Sequence, residues 1–130
     1  MTVNAAGLIT AASNGSGGGP GTLSWATIVG TTQAAATNSG YVPLNVGLTT
    51  ITCPAIANLG DEVVVEGYGS GGWTLAANTG QTIIYSPSGA TSSGGSLSST
   101  DKYDNAHLVC VVASTTWKLS FTNSQGLTIA

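Results

Sequence analysis

Apolar residues in this chain recur at every second position, in short runs broken by glycine, asparagine and serine. In "LTTITCP" (48–54) Thr49, Ile51 and Cys53 share one face, and Leu48, Thr50 and Thr52 the other. In "DEVVVEGYG" (61–69) Val63 and Val65 face inward, with Glu62, Val64 and Glu66 outward. "GWTLAA" aligns Trp73, Leu75 and Ala77, "QTIIYS" aligns Ile83 and Tyr85, and "WKLSF" (117–121) aligns Trp117, Leu119 and Phe121. A period of two belongs to a half-buried strand. "AHLVCVVA" (106–113) is apolar on both faces, as a central strand is, and "STT" (114–116) after it reads as a hairpin loop. "TLSWATIVG" (22–30) is another strand. "GYVPLNVG" (40–47) is extended, with Pro43 placing it at an edge or a bend.

Helix has little support. Gly, Thr, Val and Ser dominate, and Ala34–Ala36 is too short to nucleate one. The pattern predicts about eight to ten short strands in an all-β fold, an antiparallel β-sandwich with jelly-roll-like connections. Residues 1–21 differ from the rest. "VNAAGLITAAS" is a small-residue segment and "NGSGGGPG" (14–21) a flexible break. They read as the end of a stalk and a Gly-rich linker, ahead of a sandwich head domain over 22–130.

Composition narrows the class. Charged residues make up 5% of the chain, where a soluble protein carries roughly 25%. Hydrophobic content is an ordinary 42%, so a folded core under a neutral polar surface is expected rather than disorder. Two lysines and no arginine cannot neutralise a row of phosphates, which argues against nucleic acid and against anionic lipid. No apolar run approaches the ~20 residues of a membrane span. The N-terminus has neither the basic stretch nor the continuous apolar region of a secretory signal.

Cys53 and Cys110 both lie in apolar, strand-like runs. Two buried thiols is the plainer reading, with a disulfide as the alternative. One histidine and no C-x-x-C leave no zinc set, and no cofactor is expected.

An active site needs a nucleophile with its base, paired carboxylates or a metal set. His107 opens the most apolar strand and reads as a packed or edge-facing histidine, with a catalytic base as the lesser alternative. Asp61 and Glu62 would point to opposite faces of a strand, which is wrong for a carboxylate pair. The Gly-rich "GYGSGGW" and "SGATSSGG" lack the ending of a phosphate loop. The chain does not read as an enzyme.

The remaining cluster is "STDKYDNAH", where Asp101, Lys102, Tyr103 and Asp104 can bind a small polar ligand or an ion. Its plain alternative is a solvated loop in which Asp104 or Asn105 caps a turn. Aromatic faces stack on the C–H patches of sugar rings, and a neutral surface suits such a partner. Alternation turns Trp73, Trp117, Tyr85 and Phe121 inward. Tyr68 and Tyr103 lie in loop-like stretches and are the better exposed candidates.

Taken in order, "GTTQAAATNSGYV", "LTTITCPAIANLGDEVVVEGYGSGGW", "LAANTGQTI", "GGSLSSTDKYD" and "LVCVVASTTW" cover most of residues 25–117. This series resembles a C-terminal domain of phage tail-fibre-like proteins and bacterial trimeric fibre adhesins. The resemblance implies a β-rich homotrimeric tip on a fibrous stalk, on a virion or a bacterial cell surface, that recognises a receptor. It supplies no binding residues. It also lends no support to a Cys53–Cys110 bridge, because an apolar residue is expected in place of Cys53. In that light Trp73, Leu75, Asn78 and Gln81 look like framework: a core Trp, then a turn whose side-chain amides satisfy buried backbone. The expected function is attachment to a cell-surface glycan or other envelope receptor. The alternatives are a virion decoration protein without a receptor and, less favoured, a polysaccharide hydrolase with a site between subunits.

Overall fold

The alternating segments form strands. A computed structural model describes residues 22–130 and, before them, only β1 (Val3–Asn4) and β2 (Leu8–Ile9), which pair antiparallel. The expected stalk end and linker otherwise lie outside the described residues. Then follow β3 (Ser24–Ile28), β4 (Thr32–Ala34), β5 (Ser39–Pro43), β6 (Thr49–Thr52), β7 (Glu62–Glu66) and β8 (Trp73–Ala76). The remaining strands are β9 (Thr82–Ser86), β10 (Gly89–Ala90), β11 (Ser96–Ser98), β12 (Asn105–Val112), β13 (Thr116–Phe121) and β14 (Thr128–Ile129). The described residues contain no helix.

Two sheets enclose one core. The seven-stranded sheet runs β10-β9-β13-β12-β7-β5-β3, and the five-stranded sheet β14-β11-β8-β6-β4. Their inner faces contribute Val63, Val65, Leu108 and Trp117 from the first, and Ile51, Trp73, Leu75 and Leu97 from the second, to one buried cluster. β12 lies centrally, between β13 and β7, as its two-sided apolarity predicts.

The antiparallel, jelly-roll-like expectation is corrected, because the sheets are mixed. From β3 to β9 the chain crosses from one sheet to the other at every connection. A strand that crosses to the facing sheet and back returns in its original direction. So β3, β5 and β7 are parallel neighbours in one sheet, and β4, β6 and β8 in the other. β9 adds parallel to β13. Jelly rolls are antiparallel, built from Greek keys. Pro43 closes β5 beyond the stretch that pairs with β7, so its missing N–H costs no ladder bond.

One side chain lies on the face opposite to expectation, and a second is buried on the expected face. Phe121 is 55% exposed. The register slips between His107 and Leu108, so Leu108 faces Leu119 while His107 faces Phe121. That bulge turns Phe121 onto the outer face, edge-on to the His107 ring at 5.6 Å. Val64 points outward as expected, yet is fully buried there and lies outside the core cluster.

The polar interior is satisfied. Gln81 Nε2 donates to the carbonyl of Pro54 at 2.9 Å, and its Oε1 accepts from Trp117 Nε1 at 3.0 Å and from the Asn78 amide at 3.1 Å. Asn78 Nδ2 donates to the carbonyl of Cys53 at 2.9 Å. The amides of the "ANTGQ" turn therefore tie the β6 exit to the β8–β9 connection, as framework. Cys53 and Cys110 are buried free thiols. Burial, and then the neighbouring Cys110, push the Cys53 thiol up to about 12.

Candidate functional site

The β7 and β12 strands meet antiparallel, with Val64 opposite His107 and Glu66 opposite Asn105. The amide of Gly67 donates to the carbonyl of Asp104 at 3.0 Å, which carries the same register past the strand ends. The next outward-facing pair is Tyr68 and Tyr103. Their ring centroids are 6.0 Å apart at 41°, an inclined aromatic pair. They are 63% and 56% exposed. Lys102 Nζ sits 5.0 Å from the Tyr103 ring centroid, in cation–π range. Asp101 is exposed on the same turn. Four of the five residues expected from the sequence thus come together at one tip.

The fifth does not. Asp104 is only 5% exposed and is turned into the fold. One carboxylate oxygen accepts the backbone amides of Thr100 (2.8 Å) and Asp101 (3.0 Å) and the hydroxyls of Ser124 (3.0 Å) and Thr100 (3.2 Å). Burial works to raise its pKa. The hydrogen bonds from Asp101, Thr100 and Ser124 outweigh that and hold the group below the ordinary carboxylate value. That oxygen is fully engaged by the protein, so Asp104 acts as the cap of this turn.

The tip rests on a rigid base. Trp73 Nε1 donates to the carbonyl of Asp104 at 2.8 Å, fixing the turn to the core. Asn105 and Asn123 exchange two amide-to-side-chain bonds of 2.8 Å, and Asn123 Nδ2 donates to the Tyr103 carbonyl. Gly67 lies so close to the backbone of Lys102 and Asp104 that a β-carbon there would collide with both carbonyl oxygens. Only glycine lets the two loops approach until the tyrosines meet.

Directly behind the tyrosines, Glu66 accepts from Asn105 Nδ2 at 3.2 and 3.3 Å and lies 3.1 Å from His107 Nε2. A carboxylate only accepts, so His107 carries its proton on Nε2 in this pair. His107 lies on the face of Val109, as its alternation predicts. No nucleophile is paired with a base at this tip. Among the described residues no three His, Cys, Asp or Glu side chains converge to hold a metal ion. The arrangement stacks rings and exchanges hydrogen bonds.

Sequence reasoning missed Glu66, and read His107 as a packed or edge-facing residue with a catalytic base as the lesser alternative. No local signal marks them as partners of the tyrosines. The pairing depends on the register between strands that lie 39 to 41 residues apart in the chain. No protein-family model matches the chain, and no curated protein matches it.

Proposed function

We propose that this chain is the receptor-binding head of a homotrimeric fibre, attaching to a cell surface through a glycan, with residues 1–21 as its stalk end and linker. The observation that carries this reading is the exposed Tyr68–Tyr103 pair held on a fully hydrogen-bonded base. Exposed aromatic side chains on a rigid frame lose little conformational entropy on binding. Their faces suit the C–H patches of sugar rings, while Lys102 and Asp101 beside them suit hydroxyl groups. A nearly uncharged surface limits non-specific adhesion to a charged envelope. Three tips presented together gain avidity from individually weak contacts.

Two measurements test the reading. Light scattering of the intact chain should give three times the chain mass at micromolar concentration. A glycan array should give discrete hits that Tyr68→Ala and Tyr103→Ala each weaken about three- to tenfold per site. A monomer, or an array blank for the wild-type chain, refutes the proposal.

A further inference from the structure

The outer face of the seven-stranded sheet continues the tyrosine tip. The register that sets Tyr68 against Tyr103 also sets Glu66 against Asn105 and Val64 against His107, three cross-strand pairs in file on one face. At the level of Val64 the ladders extend sideways in both directions. Trp25 opposes Gly40, Gly40 opposes Val64, Val64 opposes His107 and His107 opposes Phe121. Five neighbouring strands therefore present one transverse row. Its two ends are exposed aromatics, Trp25 at 53% and Phe121 at 55%. Trp25 lies flat over Gly40, where any β-carbon would collide with its ring. The row is about 19 Å long, at about 4.8 Å per strand spacing, and stands about 14 Å from the tyrosines, four residues along β7 at about 3.4 Å each.

Charge on this face is sparse and of both signs. Glu66 is tied to His107 and Asn105, and the row behind carries Glu62 and Lys118, one of each sign, on either side of Val109. Such a face concentrates no charge of one sign for a polyanion or polycation to meet. It offers apolar rings with a carboxylate and an imidazole set between them, groups that suit a neutral polyhydroxyl chain.

We infer that the binding surface is an extended platform for an uncharged oligosaccharide longer than one ring, with Tyr68 and Tyr103 as one stacking station and Phe121, flanked by His107 and Glu66, as a second. Trp25 closes the far side of the row. The inference rests on the proposed glycan-binding role and adds the length of the ligand and its path over the sheet.

Binding of the intact chain to neutral cello-, chito- and malto-oligosaccharide ladders, from a single ring upward, tests it. Trp73 and Trp117 are fully buried, so acrylamide quenching of fluorescence reports on Trp25 alone. Affinity should rise with length and then level off, and only the longer members should shield Trp25. Phe121→Ala should weaken the long members about three- to tenfold and leave the shortest binders unchanged, with Phe121→Tyr restoring affinity. Tyr68→Ala should weaken all of them. Near-ultraviolet circular dichroism from the buried tryptophans checks that the variants are folded. Sugar binding that is lost with Tyr68→Ala but is indifferent to length and to Phe121→Ala overturns the platform and leaves the glycan-binding tip standing. No binding to any ladder by the wild-type chain overturns the platform. A blank glycan array in addition removes the tip as well.

Discussion

Asp104→Ala removes the cap beneath the tyrosine tip without touching either ring. The carboxylate oxygen that goes accepts four hydrogen bonds, two from backbone amides and two from hydroxyls. The hydroxyls have other outlets. Thr100 Oγ1 already reaches the carbonyl of Gly126 at 2.9 Å, and Ser124 can turn toward water. The amides of Thr100 and Asp101 have no alternative acceptor in the turn. Hydrogen bonds to a charged group contribute about 1.5–3 kcal/mol each, and water reaching the opened turn recovers part of that, so the expected loss is about 2–4 kcal/mol. Against a domain stability of about 5–15 kcal/mol this is a large fraction. Urea unfolding followed by tryptophan fluorescence should show a lower midpoint at an unchanged slope. The pH dependence gives an independent check. The folded-state pKa of Asp104 lies below its unfolded value, so its contribution is present above about pH 4 and is lost as pH falls through the folded value. The variant should therefore lose less stability on acidification than the wild type. Tyr103→Ala, one residue away and exposed, should shift stability by under ~1 kcal/mol. An Asp104→Ala protein within ~0.5 kcal/mol of wild type at neutral pH, or one that follows the wild-type acid limb, refutes the capping argument.

Two further predictions concern the frame. Gln81→Ala strands the Trp117 indole N–H, the Asn78 amide and the Pro54 carbonyl, and should cost about 3–5 kcal/mol by the same urea assay, since each buried orphan costs about 1–3 kcal/mol; a cost below ~1 kcal/mol would show that water replaces the amide. At pH 8 neither cysteine should react with a thiol reagent in the folded protein, and both should in denaturant, because Cys53 is held neutral up to about 12 and both thiols are buried. The folded pKa of Cys53 lies above its ordinary 9.0, so its burial stabilises below that value and the benefit fades as pH rises toward 12. Rapid labelling of either thiol in the native state would show that the core opens locally.

Alternation located the longer strands and most of the core, while the short β4, β10 and β11 went unmarked. Thr49, Ile51, Cys53, Trp73, Leu75, Ala77 and Trp117 are buried as their parity demands. It also singled out Tyr68 and Tyr103 as exposed, since both interrupt the pattern in Gly- and Asp-rich turns. A side chain's parity is a property of its own strand, and the local sequence is enough to set it. Three features were not legible in that way. Parallel and antiparallel strands alternate identically, so the crossing of the chain between sheets left no mark that the pattern could show. The bulge that turns Phe121 outward arises where β12 and β13 disagree by one residue, which neither strand states by itself. The file of Tyr68–Tyr103, Glu66–Asn105 and Val64–His107 exists only because two strands some forty residues apart share one register. Which faces are apolar is decided residue by residue along the chain, whereas which side chains become neighbours is decided by how separate strands are brought together, and only the tertiary structure does that.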